Sequence, residues 1–152
     1  MSKKQLGTDY ILWVNTGTTS VPVWKAVMCQ SGLTITTPFE TIDASSKCGK
    51  DSVVDDGIET VEFDAFLLQK DDTDTDHMTT YEWRQLARTK DQHEFKAAPK
   101  TATAEDEGKI VYEFDGVITS VADAFPYKEM ATVSSSISVK GSIVESEFVM
   151  ST

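Results

Sequence analysis

Apolar and polar side chains alternate along most of this chain with a period of two. In "TVSSSISVKGSIV" (132–144), Val133, Ile137, Val139 and Ile143 fall on one side of an extended strand, and Thr132, Ser134, Ser136, Ser138 and Lys140 on the other. The segment "KIVYEFDGVITSV" (109–121) repeats the pattern, with Ile110, Tyr112, Phe114 and Ile118 opposing Glu113, Asp115 and Thr119. Upstream, Val61, Phe63, Ala65 and Leu67 oppose Thr60, Glu62 and Asp64, and "LTITTPF" sets Leu33, Ile35, Thr37 and Phe39 against Thr34 and Thr36. Two shorter runs, "DYILWV" (9–14) and "VPVWKAV" (21–27), read as strands around the polar turn "NTGTTS". Pro22 confines the start of the second to an edge or a strand entry, because proline offers no ladder donor. Each strand buries one face only, which predicts a mainly β fold, an antiparallel barrel or sandwich instead of a doubly wound parallel sheet.

The alternation breaks in two places. The polar stretch from about Asp43 to Gly57 separates two strand-like runs and reads as a long loop or an extended hairpin arm, a length usually tied to function. "MTTYEWRQLART" (78–89) instead carries a helical period, with Thr79 or Thr80 as N-cap. Its expected apolar stripe is Met78, Tyr81 and Leu86, with Trp83 nearer the border and Arg84 and Arg88 on the wetter side. One short helix flanking a sheet follows. A further strand is expected around Phe95, leading into a polar connection through "KTATAEDEGK" (100–109).

At 152 residues the chain suits a single domain spanning 1–152. Its 14 Lys and Arg stand against 25 Asp and Glu, a net charge of −11 that repels phosphate backbones and anionic membranes. The opening "MSKKQLGTDYILWV" lacks the apolar region and cleavage site of a signal peptide, and no run reaches the length of a membrane span. Cys29 and Cys48 belong to no CxxC pair. They read as reduced thiols of the kind usually buried in packing, with a Cys29–Cys48 bridge as the alternative.

Nothing in the sequence points to catalysis, a cofactor or a metal. His77 and His93 stand apart in polar surroundings, and no GxSxG, P-loop or GxGxxG motif occurs. The tract "DDTDTDH" fails the calcium-loop test: counted from Asp72, His77 replaces the turn glycine and Trp83 the bidentate glutamate; counted from Asp71, Asp76 takes the glycine position. A solvated loop favouring the N-terminus of the next helix accounts for it. Trp13, Trp24 and Trp83 read as packing. If Trp13, Trp24, Tyr112 and Phe114 instead lined a cavity, the chain would be a small-ligand-binding β-barrel.

The order of these pieces, with the stretches "IDASSKCGKDSVVDDGIETVEFDAFL" and "FDGVITSVADAFPYKEMATVSSSISVKGSI", resembles the tail tube proteins, or major tail proteins, of long-tailed bacteriophages. The resemblance covers nearly the whole chain. It implies a barrel or sandwich with a flanking helix and a long hairpin arm, closed side by side into six-membered rings that stack into a hollow tube for DNA passage. Within it, Ser45, Ser46, Lys47, Lys50, Asp51, Asp55 and Asp56 belong to a ring-stacking arm, and Ser134, Ser136, Ser138, Glu113 and Asp115 to a lumen or subunit-contact face. The implied partners are further copies of the chain, a tape-measure protein and tail-end proteins, with phage DNA passing unbound. The implied location is the virion tail, after synthesis in the bacterial cytoplasm. The inner tube of a contractile tail or injection device is the neighbouring possibility. The sequence ends at Thr152 without the immunoglobulin-like domain that some members append.

Overall fold

The computed structural model describes residues 10–43, 45–46, 49–50, 52–74, 76–100 and 107–149, with only the backbone for 42 and 52–56. Its strands are β1 (Tyr10–Asn15), β2 (Trp24–Val27), β3 (Cys29–Thr36), β4 (Phe39–Asp43), β5 (Ser52–Asp56), β6 (Thr60–Phe66), β7 (His77–Met78), β8 (His93–Pro99), β9 (Ile110–Ala124) and β10 (Thr132–Glu147); the helix α1 is Thr80–Arg88. Eight strands form one sheet in the order β3-β6-β10-β9-β8-β1-β2-β7, antiparallel except at the short β2–β7 pair. β4 and β5 form a separate two-stranded sheet.

The large sheet curls because the chain turns a corner between β2 and β3. Met28 takes a left-handed φ of 47° there, and its N–H donates to the Met78 carbonyl at 2.9 Å. The corner carries β3 round to the far end of the strand order, yet Gln30 reaches back to β1. Its side-chain oxygen accepts the Leu12 N–H at 2.9 Å, and its amide donates to the Leu12 and Val27 carbonyls at 3.0 and 2.8 Å. One side chain thus supplies ladder bonds that two separated strands lack. The result is a curled half-barrel with α1 packed on its inner side, the mainly β fold expected from the alternation.

The inner side is apolar. Leu12, Val14, Val27, Val61, Phe63, Phe95, Phe114, Val133 and Ile137 bury there around Trp83 of α1, which is fully buried. Phe63 and Phe95 meet Trp83 edge to face at 5.3 and 6.0 Å between centroids, and Phe95 stacks on Phe114 at 5.5 Å. The helix starts as its sequence suggests: Thr79 is the N-cap, and its hydroxyl accepts the Glu82 N–H. Met78 and Leu86 pack on the core as expected, but Trp83 and not Tyr81 lies at the centre of the buried stripe. Thr80, Trp83 and Ala87, spaced by three and four, face the sheet, whereas Tyr81 is 73% exposed. The Trp83 indole N–H also explains a serine on the apolar side of β10: it donates to Ser135 Oγ at 3.0 Å, and that hydroxyl donates to the Ser120 carbonyl at 2.7 Å. Ser135 therefore belongs to the core.

A bulge shapes β9. Ser136 pairs with Ser120 but Ile137 with Ile118, so Thr119 has no opposite residue. Before the bulge even-numbered residues face inward; after it Val121 and Asp123 do, and Arg84 of α1 donates to Asp123 at 2.8 Å. Close packing at the β9–β10 contact needs Gly116, where a Cβ would lie 2.7 Å from Ile137 Cγ2.

Three sequence expectations are corrected. β3 ends at Thr36 and Phe39 leaves its face for β4, because Pro38 interrupts the ladder. β2 begins at Trp24, with Val21 and Val23 exposed in the preceding turn, where Val23 N–H and carbonyl bond back to Asn15 and Thr16. Ile110, placed on the buried face, is exposed at the outer end of β9.

Candidate functional site

The sheet's other side is predominantly polar from β3 to β8. Pairing registers bring five of the anticipated residues onto it from two strands: Ser134, Ser136 and Ser138 from β10, Glu113 and Asp115 from β9. Each serine has a neighbour on both sides. Ser134 lies between Asp64 and Ala122, Ser136 between Glu62 and Ser120, and Ser138 between Thr60 and Val117. Ser134 Oγ donates to Asp64 Oδ1 at 2.7 Å. Thr34 and Thr36 of β3 extend the same surface beyond Glu62 and Thr60. A shallow depression of about 210 Å³ over Thr34, Glu62, Asp64, Ser134 and Ser136 follows the curl.

On the other flank Asp115 pairs with Lys140 and Glu94, and Glu113 with Lys96. The carboxylates of Glu62, Asp64, Glu94, Glu113 and Asp115 outnumber the ammonium groups of Lys96 and Lys140, leaving the surface acidic. Glu94 accepts from Thr19 at 2.7 Å and from Asn15 at 2.9 Å, and these bonds hold its carboxyl below the usual range. Lys96 sits over Trp24 and Trp13, 4.7 and 5.7 Å from the ring centroids. Burial between these rings lowers its pKa, against the opposing pull of Glu113. This Trp–Lys–Trp stack was invisible in the sequence, since its members come from β1, β8 and β2. Ser120 was missed for the same reason: the bulge alone puts it on the serine side.

The anticipated arm exists as the β4–β5 hairpin and starts at Phe39, four residues before the expected Asp43. Among the described residues no strand of the large sheet pairs with it. Near its tip Asp43 accepts the Ser45 N–H at 2.9 Å, and Ser46 and Gly49 exchange backbone bonds of 2.8 and 3.1 Å. Lys50 is exposed, whereas Lys47 and Asp51 lie outside the described residues. Register puts Asp55 opposite Glu40 and Asp56 opposite Phe39. At the root, Gly57 N–H donates to the Pro38 carbonyl at 2.8 Å, and a Cβ on Gly57 would stand 2.9 Å from Pro38 Cγ. Glycine lets the two chains of the arm meet there.

Elsewhere the polar residues are held by their own loops. Asp71 accepts from Thr73, and Asp74 accepts from the Asp76 and His77 backbones and meets His77 Nδ1 at 3.0 Å. The tract is a pair of local turns capping the approach to α1. Cys29 is exposed and unbridged, not buried, and Cys48 lies outside the described residues. Trp13 and Trp24 lie on the side of the sheet opposite Phe114, so the four aromatics line no common cavity.

No protein-family model and no curated protein sequence matches the chain. Solved structures do. The tail of an empty gene transfer agent (GTA) particle, determined with C6 symmetry, matches at 16% identity with a TM-score of 0.64, over 94% of this chain and 99% of that one. The SPP1 tail tube matches at 10% identity and a TM-score of 0.70, over 95% of this chain and 80% of that one. A chain from the sheath–tube complex of an extracellular contractile injection system (PVC) matches at 8% identity and a TM-score of 0.64, over 91% and 88%. The fold is that of tail tubes.

Proposed function

We propose that this chain is a structural, non-catalytic tail tube subunit: copies close side by side into rings of six, and the rings stack into a hollow tube that conducts DNA. The observation that carries this reading is the acidic, hydroxyl-rich surface that spans β3, β6, β10, β9 and β8 of a tail-tube fold. A conduit wall must not hold its cargo. Carboxylates repel phosphates, and serine and threonine hydroxyls between them offer small polar contacts without an anchoring cation. Of the two ammonium groups described on this surface, Lys96 is occupied by two indole rings and stands opposite Glu113, and Lys140 stands opposite Asp115.

In this reading Ser134, Ser136, Ser138, Glu113 and Asp115 face the lumen or the neighbouring subunit. The arm, including Ser45, Ser46, Lys47, Lys50, Asp51, Asp55 and Asp56, reaches the adjacent ring. The sixfold ring is supported by the C6 symmetry of the GTA tail. Tape-measure and tail-end proteins are the further partners, and the virion tail is the location. The likeness to the injection-system chain supports a second version, in which the tube lies inside a contractile sheath.

Electron microscopy of the purified protein and of a tail fraction tests the proposal. Rings or tubes about one subunit thick in wall are expected. Strictly monomeric particles under every assembly condition, with none of the protein in virions, would sink it.

A further inference from the structure

Two exposed apolar surfaces lie at opposite ends of the same three strands. At one end Cys29, Phe66 and Thr132 stand side by side; at the other Thr36, Thr60 and Ser138 do. Six residues of strand separate the ends, about 20 Å. The first end carries the β9–β10 turn, where Phe125, Tyr127 and Met130 are 74%, 87% and 69% exposed. This turn is built, not frayed. Glu129 N–H reaches the Pro126 carbonyl at 3.4 Å, and Leu67 N–H donates to the Ala131 carbonyl at 2.9 Å. Lys128 holds a φ of 60°, a left-handed conformation that strains a non-glycine residue, and its ammonium sits 5.4 Å from the Tyr127 ring centroid. A strained turn that presents aromatics to water marks a contact surface.

The second end carries the root of the arm. Phe39 and Ile58 are both largely exposed there, beside the Pro38–Gly57 contact. Glu40 is exposed on the same root, one residue into a hairpin that no third strand joins among the described residues. A two-stranded hairpin is marginal by itself, and a cation brought from outside would pair with the exposed Glu40 carboxylate.

We propose that the 125–130 turn of one copy docks on the arm root of a second copy in the next ring. Phe125 and Tyr127 cover Phe39 and Ile58, and Lys128 pairs with Glu40. The occupant is a second copy because a turn held about 20 Å from its own arm root cannot cover it. The two surfaces differ and lie at opposite ends, so the contact is head to tail and open-ended, the symmetry of a stack and not of a closed dimer. The inference rests on the tube reading and supplies its stacking contact.

The test uses full-length protein, with circular dichroism confirming that each variant folds. Tyr127→Asp and Ile58→Asp are each expected to leave rings in electron micrographs while lowering tube number at least tenfold. Lys128→Glu is expected to do the same, and Glu40→Lys added to it to restore tubes. Mixing Tyr127→Cys protein with Phe39→Cys protein, both in a Cys29→Ser/Cys48→Ser background, is expected to yield disulfide-linked heterodimers in excess of homodimers, with or without tubes. Wild-type tube numbers in both aspartate variants overturn the proposal, as does loss of rings together with tubes, which makes the turn a lateral contact. Homodimers alone in the mixture also overturn it, showing that another partner covers these surfaces. A wild-type protein that never forms rings refutes the tube reading separately, and the mixed cross-link then decides the docking.

Discussion

Replacing Trp83 with alanine removes the one side chain that joins the helix to the sheet's aromatic core. Trp83 is fully buried, and it meets Phe63 and Phe95 at 5.3 and 6.0 Å. Truncating a buried tryptophan costs about 3–5 kcal/mol through lost transfer energy and the cavity left behind. Its hydrogen bond to Ser135 at 3.0 Å adds about 1 kcal/mol, but Ser135 keeps its bond to the Ser120 carbonyl and is not left unsatisfied. The expected loss is therefore about 5 kcal/mol, against a total of about 5–15 kcal/mol for a typical domain. In urea, with a slope of about 2 kcal/mol per molar, the midpoint drops by about 2.5 M. Far-ultraviolet circular dichroism follows the transition independently of the lost fluorophore. Tyr81→Ala is the control: it belongs to the stripe that the sequence suggested, yet its side chain points to solvent, and the expected loss is about 0.5 kcal/mol or less. A Trp83→Ala loss under about 1 kcal/mol, or a larger loss for Tyr81→Ala, refutes this account of how α1 docks.

Gly116→Ala should destabilise the chain by about 1–3 kcal/mol, because the new methyl lies 2.7 Å from Ile137 Cγ2 and 2.9 Å from the Ser138 carbonyl oxygen; an unchanged melting temperature counts against the packing described. Ser136→Arg adds a cation to the acidic surface without touching the core, so the monomer should melt as wild type while tube assembly or DNA passage fails; normal infectious tails would return the serines to ordinary surface. Glu94 titrates below its usual 4.5 in the folded protein, so its stabilising contribution is complete above that pH and is lost as pH falls through the depressed value. Thr19→Val removes the larger cause and should move the carboxyl titration up towards 4.5 in NMR; no movement refutes the assignment.

Period-two alternation was enough to locate nearly every long strand and the side chains that share its buried face. Val61, Phe63 and Ala65, or Val133, Ile137 and Val139, sit where the pattern puts them, because alternation is a property of the extended backbone itself. The helix and its cap were equally local. What failed was whatever depends on a neighbour brought from elsewhere. Trp83 became the helix anchor, in place of Tyr81, because Phe63 and Phe95 converge on it. Ser135 entered the core because that indole needs an acceptor.

The acidic, serine-bearing side of β10 was determined by the sequence as a polar side and nothing more. Tertiary structure decided that Ser134, Ser136 and Ser138 share one surface with Glu113 and Asp115, through a register that shifts at Thr119 and again between Lys140 and Val144. It also decided that Gln30 draws β3 back towards β1, and that Pro38 releases Phe39 from the sheet to begin the arm. Side-chain order along a strand is written in consecutive residues, whereas register and curl come from pairings between distant ones. A surface made by five strands therefore exists only once they have met.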